Sequence, residues 1–168
     1  INKYIGDIYN YIADDTSMVD IEYRPNLPIE SYSDDDLRSN LINIYKSNYR
    51  RELQAGMTLY GPHRDDFSFY LNKVDMKNFA SLGQQKCVVL AYKLASIPIF
   101  EEYSGTQPVL LLDDIFSELD ITKRNKVLRY INKDIQSIIT TTDLKNISKT
   151  IIKDAVVFKV ENGIIERS

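Results

Sequence analysis

The sequence holds one cysteine, one histidine and no long apolar run. The single thiol, Cys87, rules out an internal disulfide and a metal site built on several cysteines. The single histidine, His63, leaves no second imidazole for a paired metal site. No stretch approaches the 18 or so uninterrupted apolar residues of a membrane-spanning helix, so no membrane partner is expected. The first residues, INKYIGDIYNYIADD, lack the basic start and apolar core of a secretion signal. A cytoplasmic setting is expected. Basic charge is scarce too. The net charge is −3; residues 1–60 carry 6 basic and 10 acidic side chains, and residues 61–168 carry 15 and 14. Neither part would grip nucleic acid by charge alone. An initiating methionine is also missing, and the chain is expected to be a piece of a longer one.

Against these absences stands enough apolar content, 43%, for a sizeable core. Ile1, Ile5, Ile8 and Ile12 recur at helical spacing, which predicts an amphipathic helix over residues 2–13. VDIEYR (19–24) alternates as a strand does. Asp34, Asp35 and Asp36 charge the start of a second helix, with Leu37, Leu41, Ile44, Tyr45 and Tyr49 as its apolar positions and Gly56 beyond its end. FSFYLN reads as a strand, and LNKVD as a turn into another near 75–79. Residues 83–97 are apolar on nearly every side and predict a buried helix that Pro98 ends or kinks. Strands at 108–113 and 135–141 flank a helix over about 122–133. The end is a hairpin around Asn162-Gly163, the strongest two-residue turn signal. Strands alternating with helices from residue 80 onward predict an α/β layer with parallel strands, and the hairpins predict antiparallel additions.

Four stretches carry chemistry. In PVLLLDDIFSELD (108–120), four aliphatics without polar alternation fit a strand covered on both faces. Its carboxyl end, where ligands bind in such sheets, carries Asp113 and Asp114. Two adjacent carboxylates repel unless a cation or a donor network holds them. Magnesium with a phosphate would do so; a turn in which one aspartate caps the next helix is the other reading. In FASLGQQK (79–86), Ser81 can cap the buried helix and Gly83 lets a ligand approach the backbone. An ordinary cap explains the same residues. IITTTD (138–143) places three hydroxyls at a strand end, as site residues or simply as good strand formers. GPHRDD (61–66) holds the one histidine, either at a functional turn or, more in keeping with a lone imidazole, at a structural corner. Lys123, Arg124, Lys126 and Arg129 cluster on one helix and read as its solvated face.

In this order and spacing, GPHRDD, SLGQQK, LLLDD with SELD, and TTTD resemble the carboxyl-terminal half of the RecF family of ATPases, which is grouped with the ABC-type and SMC-like heads. The resemblance is close over residues 55–145 and looser before them. It implies an α/β fold: the carboxyl-terminal lobe of an ABC-type P-loop ATPase head (55–168), with a mainly parallel sheet and antiparallel hairpins, preceded by the end of a helical arm (1–54). It implies that Asp113 holds Mg2+ through water, as a Walker B aspartate, and that Asp114 orients or deprotonates the attacking water. Ser117 to Asp120 take the place of a D-loop, with Asp120 reaching across a dimer. Ser81, Gly83, Gln84 and Gln85 take the place of the signature that touches ATP on the opposite subunit. Thr142 falls at the switch position. Leu82 and Lys86 depart from the glutamine and arginine usual in that signature, and lysine lacks arginine's planar fork.

The family also implies ATP-dependent homodimers, DNA with single-strand gaps beside duplex as the target, and recombination mediator proteins as partners. One element of that chemistry is absent. No G-x-x-x-x-G-K-[ST] occurs among the 168 residues, so the backbone cradle and lysine for the β- and γ-phosphates are not in this chain. The intact protein is expected to hydrolyse ATP slowly, and this chain alone is expected to be inactive. The rival readings are an SMC-like head, which would bring long heptad runs, and a non-catalytic interaction module with its acids as caps.

Overall fold

The computed structural model describes residues 1–29, 31–114, 119–131, 135–144, 147 and 152–167. Helix α1 (Asn2–Ala13) follows the expected stripe. Ile5, Ile8, Tyr9 and Ile12 are buried, and Asp14 closes the helix in the left-handed conformation. Full burial of side chains this size is worth about 1.5–3 kcal/mol each. Strand β1 (Val19–Arg24) pairs antiparallel with β2 (Asp66–Leu71), which turns through Asn72-Lys73 into β3 (Val74–Asp75). Asn72 and Lys73 both have positive φ, the backbone a two-residue hairpin turn demands.

Between β1 and β2 lies helix α2 (Asp34–Ala55). Ser33 caps its start, three aspartates fill its first turn, and Gly56 ends it at φ 65°. It contributes no buried residue.

The expected second strand near 75–79 is corrected by the structure. It stops at Asp75, whose carboxylate accepts the Lys77 amide, and Met76–Phe79 form a short helix, α3. Capping turned the chain before the apolar residues could extend a ladder.

Helix α4 (Leu82–Ser104) is the centre of the core. Cys87, Val88, Ala91, Leu94 and Ala95 are buried on it, largely against α1. Pro98 does not end α4 but lies inside it; the helix runs on to Gly105. Proline removes one backbone hydrogen bond, and buried Leu94, Ala95 and Ile97 anchor the turns leading into it.

Beyond α4 come β4 (Leu110–Leu112), α5 (Ile121–Ile131) and β5 (Ser137–Ile139). Strands β4 and β5 pair in parallel, with Leu112 opposite Ile139. The last hairpin, β6 (Phe158–Glu161) and β7 (Ile164–Arg167), turns at Asn162-Gly163 with positive φ at both residues. The mixture of parallel and antiparallel strands is as expected; among the described residues the parallel part is the single β4–β5 ladder. No helix among the described residues is long and apolar enough to cross a membrane.

Three features bear on the site. The first concerns packing across the expected division at residue 54/55. Helix α1 and strand β1 share one apolar cluster with α4, β4 and α5, whereas α2 does not enter it. The second concerns the α5 cations. Arg124 is buried rather than solvated, because it falls on the face of α5 that carries Val127, Leu128 and Ile131. The third is the cover of β4. Leu112 is buried, but Leu111 is 69% exposed and Ile138, beside it on β5, is 56% exposed. The described chain covers one face of this ladder and leaves the other apolar and bare.

Candidate functional site

Parallel pairing sets the geometry at the tip of β4. The ladder continues one step past Ile139, where the Thr140 amide donates to the Leu112 carbonyl at 3.0 Å. That step brings Thr140 beside Asp113. The Thr140 hydroxyl donates to Asp113 Oδ1 at 2.5 Å and accepts the Asp114 amide at 3.0 Å. Asp114 has φ 44°, a left-handed conformation that aspartate visits more readily than most residues. The backbone therefore turns at the second acid. Both aspartates remain exposed.

This donor set fits a magnesium ion held in the usual manner, by one or two carboxylates with water and phosphate oxygens completing the shell. It is no all-protein cage: among the described residues, no group of three or more His, Cys, Asp or Glu side chains is arranged for a metal. Thr141 and Asp143 form a small turn in which Thr141 Oγ1 accepts the Asp143 amide at 3.3 Å. Thr142 stands exposed within it.

Asp120 lies at the start of α5, where its carboxylate accepts the Lys123 amide at 2.9 Å and pairs with the Lys123 ammonium at 2.9 Å. Those bonds, the amide first, hold its carboxyl below the usual carboxylate range. Ser117, expected beside it, lies outside the described residues. Burial pushes the Cys87 thiol up, the wrong direction for a nucleophile at neutral pH.

The start of α4 forms a second group. Ser81 caps the helix and makes a reciprocal box with Gln84: Ser81 Oγ accepts the Gln84 amide at 3.3 Å, and Gln84 Oε1 accepts the Ser81 amide at 2.9 Å. Gln85 turns inward, where its Nε2 donates to the Met76 and Ala80 carbonyls at 3.2 and 3.1 Å. Gly83 is different. A Cβ built there would meet nothing within 4 Å. The described fold makes no steric demand for a glycine at this position, as at Gly6.

GPHRDD is accounted for as a corner. His63 Nε2 lies 3.0 Å from Thr58 Oγ1, and Arg64 donates to the Thr58 carbonyl. Asp65 accepts the Asn26 amide and the Tyr23 hydroxyl, and these bonds hold its carboxyl low. A Cβ on Gly61 (φ 127°) would lie 2.9 Å from Tyr45 Oη. Here the glycine is structural.

Comparison with known proteins supplies the family likeness. The chain is 39% identical, over 98% of its length, to the DNA replication and repair protein RecF of Lactobacillus johnsonii. It is 36% identical over 94% of its length to the protein of the same name in Staphylococcus carnosus. The chain is RecF-like. It spans 45% and 43% of those two relatives, and the matched part is their carboxyl-terminal half.

A solved structure described as the recombination mediator protein RecF-ATPrS in the RecFOR pathway superposes with TM-score 0.74 at 29% identity, covering 99% of this chain and 43% of that one. An SMC head bound to the C-winged helix domain of ScpA shares the fold, with TM-score 0.52 at 14% identity. No protein-family model matches the chain. The fold is thus a mixed α/β fold shared with RecF and with the SMC head.

Of the residues named from sequence, the RecF-like chain brings Asp113 and Asp114 together at one strand tip, and Ser81 and Gln84 together at one helix start. Gln85 is occupied in holding α3 to α4, and Asp120 in capping α5. Sequence reasoning placed Thr140 among three strand-end hydroxyls and did not single it out. The signal was the first threonine of ITTTD, the one that the parallel register sets beside Asp113.

Proposed function

We propose that this chain is the carboxyl-terminal part of an ATP-gated DNA repair protein, built from the lobe of an ATPase head and the end of an arm. On this reading the arm is represented by α2, and the lobe by residues 55–168 together with α1 and β1, which share its core. The observation that carries the reading is the Asp113–Thr140–Asp114 cluster at the carboxyl end of a parallel ladder, in a chain RecF-like over nearly its whole length.

Asp113 would hold Mg2+ and Asp114 would orient the attacking water. When bound, magnesium supplies charge neutralisation for the phosphates. Ser81, Gly83 and the first amides of α4 would meet the γ-phosphate on a second subunit, helped by the positive end of the helix. The bare face of β4 and β5 supports the same view. The longer relatives have more than half their length to cover it, and that half would carry the phosphate loop this chain lacks. ATP-dependent dimers would close over DNA at junctions of single and double strand, in the cytoplasm, alongside recombination mediators.

Gly83→Asp tests this directly. Aspartate is favoured near a helix N-terminus by about 0.3–1 kcal/mol, and open space awaits its Cβ. The fold should therefore keep its melting temperature. Facing a phosphate, the same carboxylate repels. Sedimentation of the full-length protein with ATP and magnesium should show dimers for wild type and monomers for Gly83→Asp. Undiminished dimers in the variant would show that α4 does not face the nucleotide.

A further inference from the structure

We propose that Thr140 is the positioning residue of the carboxylate pair, fixing which oxygen of Asp113 faces the metal and where Asp114 turns. The proposal rests on Asp113 being the magnesium carboxylate. A hydroxyl has one proton to donate and lone pairs to accept. An ionised carboxylate only accepts and a backbone amide only donates, so both roles are settled: Thr140 gives its proton to Asp113 Oδ1 and takes the Asp114 amide.

The first bond is charge-assisted, the stronger kind. It occupies Oδ1 and leaves Oδ2 to reach an ion or its water. The second holds Asp114 at its positive φ, turning the second acid off the line of the strand. Amide, hydroxyl and carboxylate form one chain in which each bond polarises the next. The position of the base is thereby tied to the position of the metal ligand. Thr140 sits outside the β4–β5 core and is exposed, so packing gives it no other task.

The test uses full-length protein carrying Thr140→Val, Thr140→Ser or Asp113→Asn. Valine keeps the shape and removes the hydroxyl; serine keeps the hydroxyl. Two readouts are taken beside a melting curve: Mn2+ binding by electron paramagnetic resonance with a non-hydrolysable ATP analogue, and the magnesium half-saturation of hydrolysis. Loss of a group that orients a metal ligand weakens metal affinity by about 10–100-fold. Thr140→Val should show a weakening of about that size, and Thr140→Ser should stay close to wild type.

Should valine crowd the turn and unfold the protein, Thr140→Ala is expected to give the same weakening. Unchanged Mn2+ binding in the hydroxyl-less variants overturns the proposal. So does a lowered melting temperature with an unmoved metal requirement, which would make Thr140 a strut. If Asp113→Asn itself binds Mn2+ like wild type, the magnesium assignment fails instead, and the two failures are distinct.

Discussion

Asp114→Asn in the full-length protein is expected to lower kcat for ATP hydrolysis by about 10²–10⁴-fold, the range a positioned acid or base contributes. Asparagine matches aspartate in shape and adopts positive φ at least as readily, so the turn at φ 44° should survive. The backbone amide that donates to Thr140 is unchanged. What disappears is a carboxylate able to accept a proton from the attacking water. ATP affinity should hold, because on the proposed reading the phosphates are gripped by a loop outside this chain. The expected pattern is a fall in kcat with little change in KM, the signature of an interaction made in the transition state. Steady-state kinetics beside a nucleotide-binding titration would check it. Hydrolysis within two-fold of wild type would remove Asp114 from the chemistry.

Leu94→Ala should cost about 2–5 kcal/mol of stability, the usual range for emptying a buried leucine site. Leu94 has no exposed surface and sits on α4 in the cluster built with α1. A typical domain has only about 5–15 kcal/mol in hand. This chain also leaves one face of β4 and β5 uncovered, so the loss should be felt strongly. Urea unfolding of the chain is the measurement, and a midpoint shifted at constant slope is the expected form. A cost below about 1 kcal/mol would fall outside that range and would mean that α1 and α4 do not pack as described.

Local signals served well where a feature depends on neighbours in sequence. The α1 stripe, the Ser81 cap, the three-aspartate start of α2 and the Asn162-Gly163 turn were all legible in advance. Legibility failed where one local signal masked another or where distant residues compete with local preference. The LNKVD turn led into an expected strand near 75–79, yet the Asp75 cap made a helix of it. Pro98 read as an end or a kink, and α4 runs on through it to Ser104. Arg124 looked solvated until α5 packed.

The site divides in the same way. The paired acids announced themselves at the end of an aliphatic run. Thr140 did not, because its partner is 27 positions away and reaches it only through the β4–β5 register. Thr142 was singled out by resemblance alone, and Gln85 turned out to face its own loop. Gly83 has open space around it, as Gly6 has, and stays a site residue by resemblance alone.

The central claim is that one subunit's Asp113 and Asp114 work with another subunit's Ser81 and Gly83. Mixing full-length Asp114→Asn with full-length Gly83→Asp, each expected to have lost most hydrolysis alone, tests it most directly. In a mixed dimer the first variant supplies an intact α4 and the second an intact carboxylate pair, so one complete site is rebuilt. ATP hydrolysis should return on mixing, to a substantial fraction of the wild-type rate. If the mixture stays as inactive as its components, while both variants still bind ATP, the two halves do not meet across a dimer and the account is wrong.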